Sequence, residues 1–301
     1  MNLDNKKLNI GYKKICDCPE NHISCITPKE WIKSQVAIWE FSYEKRDIRD
    51  KNIHPAVFPI ALPKKFIELL THRGELILDP FVGIGSTLVA AYDLNRNAIG
   101  FDLKKEYVDF ANKRVSQLKL DNFNEDSTIQ IAINDDARNI PKYLDNDTVS
   151  LVITSPPYAN MLNRPRKNKS IRGDLRKNEH YGKIQQYSND PRDLGLLEPK
   201  NFAIELAKIY KGILPIMREK AHSVIDITDL WSNDVKYGKR HLVHIYVIEE
   251  MEKVGYELRN IIIWDRRNIV NKAGIFGWPN NYITLGTTFE YLLDFWKPPS
   301  R

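Results

Sequence analysis

Four short apolar runs, at residues 75–79, 97–102, 128–133 and 148–153, alternate along the middle of the chain with residues 86–95 and 106–118, which carry the apolar spacing of helices pressed on a sheet. Strands joined through such helices must pair parallel, since an antiparallel pair would need only a tight turn. The fold class is therefore α/β, with a mostly parallel sheet. Pro55, Pro59 and Pro63 make an extended approach to a helix running from about 63 to Gly74. Farther on, the pattern predicts a helix at 202–218, a strand at 223–227 and a helix at 241–253. Two late strands, at 259–264 and 288–296, are suited to an antiparallel edge. With 301 residues, of which 42% are apolar and 28% charged, one main domain with a modest appendage is expected.

The first and fourth runs end in turns of unusual composition. After the first comes Asp79-Pro80-Phe81-Val82-Gly83-Ile84-Gly85, with a helix opening at Ser86 or Thr87. Glycines there let a ligand approach the backbone, and the unpaired N–H groups of the helix start face it. Position 88 is leucine, so the third glycine of the dinucleotide fingerprint is missing and a nicotinamide cofactor is disfavoured. Asp102 ends the next run, placed to accept from both hydroxyls of a ribose. Asp136, within Asn134-Asp135-Asp136-Ala137-Arg138, follows the third run and is a candidate acceptor for an adenine amine. Each aspartate alone fits a helix N-cap equally well. Three at successive strand ends beside a G-x-G turn favour a cofactor site.

The fourth run delivers Thr154-Ser155-Pro156-Pro157-Tyr158 to its carboxyl end, where ligands of open α/β sheets collect. An exocyclic amine is a weak nucleophile because its lone pair is delocalised into the ring. Two acceptors aimed at its hydrogens favour a pyramidal nitrogen, and Ser155 Oγ with the Pro156 carbonyl form such a pair. The prolines fix the turn, and Tyr158 offers a ring on which a base can stack. Alone, the string is an ordinary turn after a strand. No Pro-Cys dipeptide occurs and the cysteines lie far from the strand ends, which disfavours thiolate attack on a ring carbon.

Taken together, the Asp79 to Thr87 string, the upstream His54-Pro55-Ala56-Val57-Phe58-Pro59, Phe101-Asp102-Leu103 and Thr154-Ser155-Pro156-Pro157-Tyr158 resemble the motifs of S-adenosylmethionine-dependent DNA amino-methyltransferases, the N4-cytosine and N6-adenine group. The resemblance is strong over residues 50–160 and weak over 200–297. It implies a Rossmann-like methyltransferase sheet of seven strands with a reversed hairpin at 261–264 and 289–295. By the same likeness, His54, Phe58 and Pro59 close over the methionine end of S-adenosylmethionine. The cofactor set then comprises Asp79, Pro80, Phe81, Gly83, Gly85, Ser86, Thr87, Asp102, Leu103, Asp136 and Ala137, and Ser155, Pro156, Pro157 and Tyr158 form the catalytic set. The wording resembles a group whose catalytic motif usually comes first, whereas here the cofactor motif leads, so the arrangement looks permuted. Serine at 155 is commoner among the N4-cytosine enzymes. The expected reaction is methylation of cytosine N4 in duplex DNA, on a flipped base. Adenine N6 is the alternative, with RNA bases, a protein glutamine amide or a non-catalytic DNA-binding relative farther off.

A net charge of +6 and a pI of about 9.0 suit a polyanionic partner. Arg164, Arg166, Lys167, Lys169, Arg172, Arg176 and Lys177 crowd the stretch after the catalytic turn, and Arg266 and Arg267 offer a second candidate DNA-binding group. Double-stranded DNA is the expected partner, with a cognate restriction endonuclease as a candidate and a monomer or homodimer as the assembly. The chain divides into a polar arm (1–30), a cofactor and catalytic-motif half (31–159), a basic loop (160–200) and the rest of the catalytic domain (201–301). Cys16, Cys18 and Cys25, three in one arm, fit a reducing compartment. With His22 they form C-x-C-x3-H-x2-C, whose first spacing is tighter than common zinc motifs, and no metal is assigned. No apolar signal core opens the chain and no eighteen apolar residues run together, so the expectation is a cytoplasmic protein without membrane contact.

Overall fold

The computed structural model describes residues 7–8, 10, 14–19, 22–47, 54, 57–121, 128–159, 190–232, 239–268 and 287–299. Its centre is an eight-stranded sheet in the order β1-β9-β10-β6-β5-β2-β3-β4. The strands are β1 (Ile38–Glu40), β2 (Leu76–Asp79), β3 (Asn97–Asp102), β4 (Gln130–Asn134), β5 (Val149–Thr154), β6 (Met217–Ile227), β9 (Glu257–Asp265) and β10 (Phe289–Trp296). Between β6 and β9 in sequence, β7 (Leu230–Ser232) and β8 (Lys239–His241) form a separate two-stranded ribbon. Pairing is parallel throughout except at β10, which runs antiparallel to β6 and β9. The reversed hairpin anticipated from sequence is therefore present.

The sheet has one strand more than expected. Residues 38–40 pair with Ile263, Trp264 and Asp265 of β9 and cover what would have been an open edge. Three residues with mostly exposed side chains carry no readable period in the sequence.

Alternation along the strands divides the core into two layers. Leu76, Leu78, Ile99 and Phe101 face α5 (Pro199–Ile213) and α6 (Val243–Lys253), whereas Ile77 and Ala98 face α2 (Ala61–Leu70), α3 (Ser86–Asp93) and α4 (Lys105–Asp121). Helix α5 buries Phe202, Ala203, Leu206, Ile209, Tyr210 and Ile213, a 3.6-residue stripe, while Ser86 through Tyr92 of α3 are buried on every side. Truncating a core ring such as Phe202, fully buried, to alanine costs about 3–5 kcal/mol. A short helix, α1 (Pro28–Lys33), opens with a capping box between Thr27 and Glu30 at the end of the expected polar arm.

Two helix ends differ from expectation for local reasons. Helix α5 stops at Ile213 instead of near 218, because Pro215 cannot continue it, and a 3-10 turn at Leu214–Ile216 leads into β6. Helix α2 stops at Leu70 instead of Gly74: Thr71 is extended and its hydroxyl closes on the Ile67 carbonyl at 2.6 Å. Among the described residues no helix is long and apolar enough to cross a membrane.

Candidate active site

Strand order reverses between β2 and β5, since β3 and β4 lie to one side and β5 and β6 to the other. At such a switch point the loops leaving the strand ends diverge and open a crevice. Both sequence-predicted turns flank it. His54, Phe58, Pro80, Phe81, Gly83, Ser86, Asp102, Leu103, Asp136 and Ala137 from the cofactor set share one cavity with Ser155, Pro156 and Pro157.

The cofactor turn is held by its own backbone. Val82 N–H donates to Phe101 of β3 at 2.8 Å and Gly85 N–H closes on Val82 at 2.9 Å. Gly83 and Gly85 have φ of +49° and +84°, a region that side chains strain to adopt. A Cβ on Gly83 would also lie 3.1 Å from His54 Nε2, so the imidazole packs directly on the turn. Asp102 accepts from Gly83 N–H at 3.0 Å and from Lys104 N–H at 2.9 Å. Burial, with Asp193 nearby, pushes its carboxyl up to about 7. Ser86 lines the cavity, and its buried Oγ makes no hydrogen bond.

Asp79 is placed differently. It lies beneath the turn, accepting from Thr87 Oγ1 at 2.5 Å, Thr154 Oγ1 at 2.6 Å and Phe81 N–H at 3.1 Å. It thereby ties β2, α3 and β5 together, and burial raises its carboxyl to about 6. Pro59, Asp79, Gly85 and Thr87 support the cavity without lining it. Asp136 caps the 3-10 turn at 137–142, accepting from Arg138 N–H at 2.9 Å and pairing with the Arg138 guanidinium, yet it still borders the cavity.

Ser155 and Tyr158 belong to a buried chain. Ser155 Oγ lies 2.6 Å from Tyr158 Oη, which meets Asp226 Oδ2 at 3.0 Å and Glu290 Oε2 at 3.5 Å. Glu290 is paired with Arg266. Tyr158 is 4% exposed and packs in the core, so its ring does not line the cavity as a stacking surface. Burial lifts Asp226 to about 7, and its Oδ1 has no partner.

Of the residues expected to meet DNA, Arg164, Arg166, Lys167, Lys169, Arg172, Arg176 and Lys177 lie outside the described residues. Arg266 turns inward to Glu290 and over the Trp264 ring, while Arg267 is exposed and paired with Asp265. Sequence reasoning missed Tyr107, Arg192, Asp193 and Leu194 along the cavity, and Asp226 and Glu290 behind Ser155. The last two come from β6 and β10, far in sequence from the turn they stand behind.

The donor set fits S-adenosylmethionine. The unpartnered Ser86 hydroxyl and the first N–H groups of α3 suit a carboxylate. Asp102 suits a ribose diol, and Asp193 lines the same cavity.

A glycine turn and a Ser-Pro-Pro turn thus share a cleft at the switch point of a doubly wound, Rossmann-like sheet. Residues 5–113 match the family model described as DNA methylase, covering the cofactor turn and Asp102 and ending before Ser155. Among curated proteins, the chain is 34% identical over 106 residues to the Type II methyltransferase M.BglI of Bacillus subtilis, covering 35% of this chain and 29% of that one. It is 37% identical over 78 residues to M.HpaI of Haemophilus parainfluenzae (26% and 25%) and 40% identical over 83 residues to M2.DpnII of Streptococcus pneumoniae (28% and 31%). These matches support membership of the S-adenosylmethionine-dependent DNA methyltransferase family, although the matched part spans under a third of each relative's length. Solved structures similar to the chain include TrmN of Thermus thermophilus, at 14% identity and a TM-score of 0.48 over 83% of this chain and 52% of that one. A TehB-like SAM-dependent methyltransferase of Corynebacterium glutamicum gives 13% and 0.40, over 78% and 86%.

Proposed function

We propose that the chain is a DNA methyltransferase that transfers a methyl group from S-adenosylmethionine to the exocyclic N4 amine of cytosine in duplex DNA. The observation that carries this reading is the single cavity lined by Gly83, Ser86 and Asp102 on one side and by Ser155, Pro156 and Pro157 on the other. The cofactor supplies an electrophilic methyl on sulfur. His54, Gly83, Ser86 and Asp102 would hold it. Ser155 Oγ and the Pro156 carbonyl accept from the two amine hydrogens, which draws the nitrogen lone pair out of conjugation and along the line of transfer.

Ser155 can act as an acceptor because of what stands behind it. With Asp226 ionised, Tyr158 donates to the carboxylate and Ser155 donates to Tyr158, which leaves the serine lone pairs facing the cleft. The target base leaves the duplex to reach this depth, at a cost of a few kcal/mol. Serine at 155 is the feature that favours cytosine over adenine. The basic loop at 160–200, continuing directly from the catalytic turn, is the proposed contact with phosphates.

Incubating the full chain with duplex DNA and S-adenosylmethionine labelled in the methyl group, then digesting to nucleosides, tests the proposal. N4-methylcytosine is expected. N6-methyladenine would leave the pocket standing and move the target; label on RNA or protein alone would overturn the DNA assignment.

A further inference from the structure

Cys16, Cys18, Cys25 and His72 each offer one ligand atom to a common point, and those four atoms lie within 4.8 Å of one another. The sulfurs of Cys16 and Cys25 stand 3.4 and 3.5 Å from His72 Nδ1. Around a tetrahedral zinc ion, with bonds of about 2.3 Å to sulfur and about 2.0 Å to nitrogen, such ligands stand roughly 3.5 Å apart. The ring's other nitrogen identifies the tautomer. His72 Nε2 meets the His22 carbonyl at 2.8 Å, and a carbonyl only accepts, so the proton is on Nε2 and the Nδ1 lone pair points at the sulfurs. One lone pair cannot serve two thiols well, whereas one cation serves it and all three thiolates. A backbone carbonyl fixing the far nitrogen is the support that metal-bound histidines carry.

We propose that Cys16, Cys18, Cys25 and His72 form a structural zinc site that clips the N-terminal segment to the connection between α2 and β2. Four protein ligands fill the tetrahedron and leave no position for water, which suits a structural ion. Three thiolates, one imidazole and Zn²⁺ sum to a single negative charge. Two cations stand by it: Arg96, buried and anchored on Thr71, within electrostatic reach of Cys25, and Lys14, bonded to the Cys18 carbonyl. Ile15 N–H donates to the Arg73 carbonyl at 2.9 Å, so the two segments are already laced where the ion would join them. The site lies at the amino end of β2, opposite the cleft, and takes no part in the proposed methyl transfer.

The spacing of the cysteines invited His22 as the fourth ligand. The geometry uses the His22 carbonyl instead and brings the imidazole from fifty residues away. That distinction gives the test its edge. The full chain, purified without chelator from zinc-supplemented culture, is expected to carry a single zinc by elemental mass spectrometry. After stripping and reloading with Co²⁺ alone it should show the intense visible bands of a tetrahedral ion and a thiolate charge-transfer band in the near ultraviolet. Cys25→Ser should lose the metal, His72→Cys should keep it with bands shifted toward four sulfurs, and His22→Ala should keep it unchanged. A zinc-free wild-type chain whose three thiols react freely with Ellman's reagent would overturn the proposal, as would loss of metal in His22→Ala. If cysteine variants fail to fold, the cobalt spectrum of the wild type decides alone, since octahedral weak bands without charge transfer exclude the site. None of these readouts depends on the chain's being a methyltransferase.

Discussion

The two turns that share the cleft are built by opposite means. The glycine turn after β2 is held by backbone bonds to β3 and within itself, with Ser86 Oγ buried and unpartnered. The Ser-Pro-Pro turn after β5 is stiffened by its prolines and ends in a buried relay of Tyr158, Asp226, Glu290 and Arg266. The first lines the cavity with a backbone fixed by local bonds to its own turn and to β3. The second presents one hydroxyl and controls its orientation through residues from two other strands. Affinity should therefore reside in the glycine turn and turnover in the serine turn.

Ser155→Ala is the harshest test of that division. Removing a preorganised hydrogen-bonding group aimed at a reacting atom typically costs about 10²–10³ in kcat. Cofactor affinity, measured by calorimetry on the same variant, should change by less than about threefold, and a larger loss would merge the two functions. Asp226→Asn should cost about 10- to 100-fold, and its clearer mark is in the pH profile. Burial raises Asp226 to about 7. Below that pH the protonated carboxyl donates to Tyr158, Tyr158 donates to Ser155, and the serine proton swings outward, so an acceptor becomes a donor. In the wild type, kcat should fall as pH drops through about 7, and the asparagine variant should lose that limb.

Gly83→Ala probes the other turn and is expected to be milder. A side chain at φ of +49° costs about 1–2 kcal/mol, and the new methyl must move His54. Cofactor Kd should rise about tenfold with kcat nearly intact at saturation. A fall in kcat with Kd unchanged would invert the comparison.

The same contrast explains what could be read from the sequence. The glycine turn is local: its strand, its glycines and the start of α3 lie within a dozen residues, so composition and spacing reveal it. Asp102 was legible because it ends the neighbouring strand. The relay behind Ser155 was not, because Asp226 and Glu290 lie 68 and 132 residues away in sequence from Tyr158, and only the register of β5, β6 and β10 unites them. Tyr158 was expected to stack on a base, but an aromatic in a turn signals no side, and here the ring packs inward. His72 fails the same way, since its role depends on α2 ending at Leu70 instead of continuing to Gly74.

The smallest expected effect is on stability, and it runs against activity. Burial lifts Asp79 to about 6 and Asp102 and Asp226 to about 7, from an ordinary value of 3.8. Between about pH 4 and 7 the folded chain therefore holds more protons at these groups than the unfolded chain, and stability must decline as pH rises through that window. Paired carboxylates such as Asp93, held low by Arg46, do their titrating below it and do not offset the trend. Thermal unfolding of the ligand-free chain should shift down by a few degrees from pH 5 to pH 8, at about 2–4 °C per kcal/mol for a chain of this size. Asp226→Asn should flatten part of that slope while removing the acid limb of turnover, because one carboxylate carries both. A melting temperature that rises with pH over the same range would mean that Asp79, Asp102 and Asp226 are charged and well solvated in the folded protein, and that the serine turn has no buried control after all.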